Sequence, residues 1–368
     1  MNLHGLRIAL VGPLPPPEGG MANQTLQLGE LLRGEGAHIT VVQVNAPYRP
    51  SWVARLRGIR AIFRFVPYVI QLWRAADQVD LFHIMANSGW SWHLFAAPAV
   101  WIARMRGVRS VVNYRGGEAE TFLARSAGIV LSTLHHANAL AVPSGFLQRV
   151  FTKCGISSEV VPNIVDLDRF RPVSAAQGTK AAHIVVARNL EPIYDVATAL
   201  RAFSLVCKDV PNARMSLAGS GPERDTLLSL AKDLGIAGAV TFCGSLDRDQ
   251  MAELYRSASV VINPSRVDNM PNSVLEAMAS GAPVVSTNVG GVPFILQDDV
   301  NGLLVPAGNH MAMAAAVTRL LGDQQCVKRL RDAALSEVQK YAWPRVRQRW
   351  IEVYALALSG ARAEVRPT

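Results

Sequence analysis

Residues Ile262 to Gly291 read INPSRVDNMPNSVLEAMASGAPVVSTNVGG, and the order of elements in this stretch decides the fold. It begins at the end of an apolar run, Val260-Val261-Ile262, that suits a buried strand. A polar loop holding Pro264 and Pro271 follows, and Asn272 and Ser273 stand where residues cap a helix over Val274 to Ala279. Gly281 marks the helix end, and Pro283 leads into a second buried strand, Val284-Val285-Ser286-Thr287. Strand, loop, helix and strand in this order make a parallel crossover unit.

Two carboxylates sit in the unit with seven residues between them, Asp268 in the loop and Glu276 in the helix's first turns. A helix start presents backbone N–H groups and the positive end of the dipole, which suit a phosphate. A carboxylate one turn further in suits the two hydroxyls of a ribose. Taken alone, the pair also fits a turn residue and a solvated helix residue. The wider stretch resembles the signature of family 4 of the retaining glycosyltransferases, which have the GT-B fold. That signature is an acidic residue, seven positions, Glu-Ala-Met-Ala-x-Gly-x-Pro-Val-Val and a paired glycine. This chain has Asp268, Glu276-Ala277-Met278-Ala279, Gly281, Pro283-Val284-Val285 and Gly290-Gly291. Family members usually carry Glu at the first position, where this chain has Asp268.

The 368 residues suggest two or three domains, and a chain that is half hydrophobic has ample material for their cores. Cys154, Cys207, Cys243 and Cys326 are scattered without C-x-x-C spacing, as expected of reduced, structural thiols. Met1 to Arg7 carries no apolar run of the signal-peptide kind, and no run of about 20 apolar residues is found. A cytoplasmic protein without a spanning helix is expected. The net charge of +9 is uneven: residues 1–175 hold 17 Lys and Arg against 10 Asp and Glu, the rest 20 against 18. A surplus on one half points to an acidic surface facing that half.

From its start, the chain reads as a buried strand Leu6 to Gly12, a Pro- and Gly-rich loop to Gly20, a helix through Leu26 to Leu32, and a strand His38 to Val44. Gly19-Gly20 is not part of a G-x-G-x-x-G pattern, so no nicotinamide or flavin site is read there. The pair suits either a simple turn or close backbone approach to a phosphate or sugar.

Ser51 to Ala75 sets Arg55, Arg57, Arg60, Arg64 and Arg74 among Trp52, Ile59, Ile62, Phe63, Phe65, Val66, Tyr68, Val69, Ile70 and Trp73. Basic and aromatic residues at helical spacing suit an anionic membrane surface, and equally a helix packed on the first sheet with its arginines in solvent. Nucleic acid is not expected, since no recognition motif accompanies the basic charge.

Further strands are read at Asp80 to Ile84, ending near Asn87, and at Ser110 to Tyr114, followed by Arg115-Gly116. Strand ends of this kind form the sites of doubly wound sheets. His135 and His136, in an apparent helix Ala127 to Ala137, point about 100° apart and are poor joint metal ligands. A polar linker is read at Val173 to Ala181, with residues 1–175 and 176–342 as the two domains. In the second, His183 to Arg188 opens the sheet, Asp195 and Asp247 stand at helix starts, and Gly219-Ser220-Gly221 turns from strand to helix. Trp343 to Leu358 is a final amphipathic helix, with a short tail to 368.

The resemblance covers nearly the whole chain, most strongly from Arg188 to Val305. It implies two doubly wound α/β, Rossmann-like domains facing a central cleft, with the last helix crossing back to the first domain. It implies a nucleotide-sugar donor, UDP- or GDP-linked, bound mainly by the second domain, with no other cofactor. Glu276 would hold the ribose and Arg188 the diphosphate, whose developing charge it would stabilise. Asn269, Met270, Pro271 and Asn272 would line phosphate and sugar, Gly219 and Gly221 would leave room for the nucleotide, and Asp268 would bind the transferred sugar. Gly19, Gly20, Asn87, Arg115 and Gly116 would line the acceptor side, for a lipid-linked or polysaccharide acceptor at the inner membrane face. Relatives usually follow the arginine with a Lys-Gly pair, which Asn189 to Asp195 lacks. They often place a histidine where Arg115 stands.

The pairs Asp166/Asp168 and Asp247/Asp249 match a metal-binding Asp-x-Asp pattern that is short and frequent, and no required metal is expected. Two other readings stay open on this fold: a sugar 2-epimerase, and a non-catalytic sugar-nucleotide or membrane binder.

Overall fold

The computed structural model describes residues 2–16, 19–48, 60–172 and 181–360. Apolar runs alternate with amphipathic helices throughout, and every strand pairing is parallel. The described chain divides into two compact units. The first takes residues up to Ile164 together with the segment from Trp343, and the second takes Val165 to Ala342.

In chain order, the first unit contains β1 (Arg7–Gly12), α1 (Gly20–Gly34), β2 (His38–Gln43), α2 (Arg60–Ala76), β3 (Leu81–Ala86), α3 (Ala97–Met105), β4 (Arg109–Tyr114), α4 (Ala119–Leu134), β5 (Ala139–Val142), α5 (Gly145–Lys153) and β6 (Glu159–Val160). Its sheet runs β2-β1-β3-β4-β5-β6, with Ile8 beside Ile39 on one side and Leu81 on the other. β3 is buried at every position, as a parallel strand covered on both faces must be. A short π-helix, Trp92–Ala96, precedes α3. α4 stops at Leu134, so His135 and His136 lie just past its end and not inside a helix reaching Ala137, and His136 lies against Trp101 at 4.3 Å between ring centroids.

The second unit contains β7 (His183–Ala187), α6 (Val196–Asp209), β8 (Arg214–Ala218), α7 (Arg224–Asp233), β9 (Val240–Gly244), α8 (Arg248–Ser257), β10 (Val260–Asn263), α9 (Asn272–Ala279), β11 (Val284–Thr287), β12 (Leu303–Val305), α10 (His310–Gly322) and α11 (Gln324–Glu337). Its sheet runs β12-β11-β10-β7-β8-β9. The strand order reverses between β1 and β3 in the first unit and between β7 and β10 in the second. These are the topological switch points where doubly wound sheets open a crevice at the strands' carboxyl ends.

The final helix, α12 (Trp343–Leu358), belongs to the first unit and buries Val346, Trp350, Val353, Tyr354 and Ala357. Trp350 and Tyr354 stack at 5.6 Å against the buried His83. Two such aromatics withdraw roughly 300–500 Å² from water, on the order of 8–12 kcal/mol before ordering costs. Glu35 accepts hydrogen bonds from Trp343 Nε1 at 2.9 Å and from Arg347 at 3.0 Å, fixing where this helix begins.

Three details differ from the sequence reading. The division falls at Ile164/Val165 and not at 175/176. Val165 N donates to Tyr341 O at 3.0 Å, and Val165 and Phe170 are buried in the second unit's core. The expected linker lies outside the described residues except for Ala181. α9 starts two residues early, at Asn272. Its N-cap is Pro271, and no side chain caps it. Asp195 does stand before α6, but with a left-handed backbone (φ 45°). Its carboxylate accepts from Thr198 Oγ1 and Arg266 Nε, both at 2.9 Å, and not from the helix N–H groups. Asp247 behaves as expected and forms a full capping box with Gln250.

Candidate functional site

The second unit gathers its candidates at the switch point of its sheet. Arg188 is the first residue beyond β7, and the Asp268 loop follows the neighbouring β10. Arg188 and Asp268 form an ion pair, each with 11% of its side chain exposed. Arg188 Nε also donates to Asn263 Oδ1 at 2.8 Å, and its guanidinium lies 5.2 Å from the centre of the Tyr194 ring. Asn263 is itself fully engaged: Oδ1 accepts from Ser265 Oγ, and Nδ2 donates to Ser286 Oγ. Arg188 is therefore held from three sides, with its charge directed at the loop.

That loop is shaped by glycine. Gly291 N donates to Asp268 O at 3.0 Å, and a Cβ on Gly291 would stand 1.8 Å from Asn269 O. Gly290 adopts φ 53°, and a Cβ there would meet Asp268 O at 2.0 Å. Only a pair without side chains lets the β11 turn support the Asp268–Asn269 backbone this closely. The second glycine pair works in the same way: Gly219 (φ 145°) and Gly221 press against the carbonyls of Arg188 and Leu190, at 2.0 and 2.3 Å from an added Cβ.

Glu276 lies one turn into α9. Burial pushes its carboxyl up to about 7, against the opposing pull of Arg248, of the Tyr255 hydroxyl and of Arg188. Tyr255 donates to Glu276 Oε2 at 3.3 Å, and burial drives its own phenol well above the ordinary value. Three of the four Asp-x-Asp residues have partners within the second unit. Asp166 pairs with Arg169 at 3.4 Å and Arg248 at 3.6 Å, Asp249 pairs with Arg169 at 3.1 Å, and Asp247 caps α8. Among the described residues, no three His, Cys, Asp or Glu side chains group as a metal site.

Gly19 is the N-cap of α1 and Gly20 its first residue, beyond β1. Asn87 follows β3, and Gly116 comes two residues beyond β4; a Cβ on Gly116 would stand 2.8 Å from Asn87 Oδ1, so these two meet. Arg115 is half-buried, and burial lowers its pKa to about 10. It donates to Asn113 Oδ1 at 3.2 Å and to Asn163 Oδ1. Asn113 Nδ2 donates to His83 Nε2 at 3.0 Å, which leaves the proton on Nδ1, facing Tyr354 Oη at 2.8 Å. His83 stays neutral because burial lowers its pKa to about 3. A polar chain thus runs from α12 through the sheet to Arg115.

Of the basic stretch, Arg55 and Arg57 lie outside the described residues, Arg60 opens α2 with its side chain undescribed, and Arg64 is half-buried on α2.

The family models now bear on this geometry. Residues 168–337 match the glycosyl transferases group 1 model, and residues 18–169 match the Glycosyltransferase Family 4 model. The chain belongs to the GT-B glycosyltransferases of the family 4 type. An uncharacterized glycosyltransferase of Methanocaldococcus jannaschii is 37% identical over 40% of this chain and 38% of its own length. The GDP-mannose-dependent alpha-(1-6)-phosphatidylinositol monomannoside mannosyltransferase of Mycobacterium tuberculosis is 28% identical over 86% of this chain and 90% of its own. The chain spans half or less of the length of several other curated relatives. The solved sucrose-phosphate synthase of Thermosynechococcus elongatus aligns with a TM-score of 0.76 and 20% identity, over 97% of this chain and all of that one, which establishes the shared GT-B fold.

Within this GT-B family chain, the structure assembles Arg188, Asp268, Gly219, Gly221 and the Asn269–Asn272 loop at the carboxyl ends of neighbouring central strands, with Glu276 behind them on α9. Sequence reasoning missed Asn263, Tyr194 and Tyr255. Asn263 ends an apolar strand with a polar residue, a signal that could have been read. Tyr194 lies in the segment that lacks the family's lysine.

Proposed function

We propose that the chain is a retaining hexosyltransferase that moves a sugar from a UDP- or GDP-sugar to a lipid-linked or polysaccharide acceptor, in cell-envelope or exopolysaccharide synthesis. The observation that carries this reading is the Arg188–Asp268 pair at the switch point, with the protonatable Glu276 on the adjoining helix. In the reaction, Glu276 accepts hydrogen bonds from the ribose hydroxyls, and Arg188 and the start of α9 take the diphosphate. Asp268 accepts from hydroxyls of the moving sugar. The bond between the anomeric carbon and phosphate oxygen breaks, and Arg188 stabilises the charge growing on the leaving diphosphate. The acceptor hydroxyl attacks from the same face and passes its proton to the departing phosphate. The arginine supplies the positive charge that a bound metal supplies in other transferases. The first unit holds the acceptor through Asn87, Arg115, Gly116 and the Gly19–Gly20 backbone, and the protein works at the inner face of the membrane.

Incubation with a panel of UDP-, GDP- and ADP-sugars, followed by NMR of the product's anomeric proton, tests the reading. Transfer or slow hydrolysis with retained configuration is expected. Epimer formation points to an isomerase, and nucleotide binding without turnover to a non-catalytic binder. Either result overturns the proposal.

A further inference from the structure

We propose that the cavity between the end of β2 and α2 binds the terminal phosphate of a membrane lipid, whose hydrocarbon chain then lies on α2. The idea deepens the membrane part of the proposed function and rests on it. α2 is anchored from one side, through Tyr68, Leu72, Ala75 and Ala76 in the first unit's core. Another side leaves Ile62, Phe63, Val66, Ile70 and Trp73 exposed, from 39% at Phe63 to 59% at Ile62. Residues 62, 66, 70 and 73 follow helical spacing and form one stripe. No described helix is long and apolar enough to cross a membrane, so this stripe can meet a bilayer only from its surface.

The cavity gives the stripe a chemistry. Its lining includes Gln43, Tyr48, Phe63, Arg64, Pro67 and Gln71. The Arg64 guanidinium lies 4.2 Å from the centre of the Tyr48 ring, and its Nε is buried with no hydrogen-bond partner. A buried guanidinium N–H without an acceptor is costly, and a phosphate oxygen would satisfy it in a charge-assisted bond. In sequence, the stretch between Glu35 and Asp77 has no carboxylate and six arginines. Phe63 belongs both to the cavity wall and to the exposed stripe. A head group seated on Arg64 therefore starts its chain against Phe63 and continues along Val66 and Ile70. A terminal phosphate offers Arg64 more free, more highly charged oxygens than a phosphodiester, one of whose oxygens carries a further substituent.

Vesicle binding by the whole protein tests this. Three vesicle types are compared: phosphatidylcholine alone, phosphatidylcholine with phosphatidylglycerol, and phosphatidylcholine with phosphatidic acid at matched surface charge. Phosphatidic acid is expected to bind best. Arg64→Met, which keeps the apolar stem, should cost about tenfold on those vesicles and bring them level with phosphatidylglycerol, as loss of one charge-assisted contact predicts. Val66→Ser with Ile70→Ser should weaken binding to all anionic vesicles. Inorganic phosphate should compete only weakly, because it lacks the chain. Equal binding of the two anionic vesicles by the wild type, undiminished binding by Arg64→Met, or displacement by dilute phosphate would each overturn the proposal. Nucleotide affinity, measured by calorimetry on every variant, reports the integrity of the donor unit. If it persists while vesicle preference is absent, the lipid site alone fails and the transferase reading stands.

Discussion

Replacing Glu276 by glutamine should stabilise the protein at alkaline pH while weakening its hold on nucleotide. Burial raises the Glu276 carboxyl from 4.5 to about 7. Below pH 4.5 the acid is protonated in both folded and unfolded chains, and its burial carries no ionisation cost. Between 4.5 and 7 the unfolded chain releases the proton and the folded chain keeps it, so stability falls as pH rises. Above 7 both are ionised and the cost is complete. Two and a half pH units at about 1.4 kcal/mol each give about 3 kcal/mol, an upper limit because the side chain keeps some contact with water. Glutamine has nearly the same shape, can still accept from Tyr255, and never ionises.

The variant should therefore exceed the wild type by up to about 3 kcal/mol at pH 8, or on the order of 6–12 °C in the melting of the second unit, and match it near pH 4.5. Thermal unfolding at several pH values measures this, with calorimetric titration of UDP and GDP on the same samples. Refutation would be a stability gain that does not vary with pH, or a variant that binds nucleotide as tightly as the wild type. The first result would mean that the carboxylate is not strained by burial, and the second that the ribose does not use it.

Asp268→Asn keeps the shape of the loop and removes the charge that faces the moving sugar, so it should lower the single-turnover rate more than the donor affinity; an unimpaired rate would remove the role. Gly291→Ala places a Cβ 1.8 Å from Asn269 O, a backbone atom that cannot turn aside. Overpacking of this kind costs roughly 1–3 kcal/mol, and urea unfolding beside a turnover assay should show both a lower midpoint and a slower enzyme.

The crossover unit was legible because its pattern is local: an apolar run, a loop with two prolines, a glycine stop and a second apolar run all lie within 262–291. The roles of Gly219, Gly221, Gly290 and Gly291 in close packing are consistent with such a pattern, since each presses on a neighbouring loop. What remained hidden depends on residues distant in sequence. Asn263 is a ligand of Arg188 only because β7 and β10 are adjacent. Tyr255 reaches Glu276 from α8, and nothing in either segment alone announces that contact. The unit boundary was misplaced because the polar, glycine-bearing stretch after Val173 resembles a linker, whereas residues 165–172 owe their place to Tyr341 and Tyr255, far along the chain. The start of α9 was misread for a chemical reason: Asn272 and Ser273 resemble caps, yet Pro271, with its fixed φ, can hold the N-cap position without a side-chain acceptor.

The departures at Asp268 and in the segment after Arg188 belong together. The family's lysine would add a second cation to the diphosphate clamp, and Asn189 to Asp195 supplies none. In its place Tyr194 lays its ring beside Arg188, and Asn263 fixes Nε. The positive charge of Arg188 is meanwhile balanced by Asp268 in a closed ion pair. In the proposed reaction an arriving diphosphate draws Arg188 away from Asp268 and so frees the carboxylate to accept from the sugar's hydroxyls. One exchange of partners then serves both ends of the donor. A ligand lacking either end leaves the exchange incomplete: a free sugar finds Asp268 occupied by Arg188, and a bare nucleotide diphosphate leaves Asp268 without its sugar partner. In the proposed reaction, selectivity for the intact nucleotide sugar follows from that coupling.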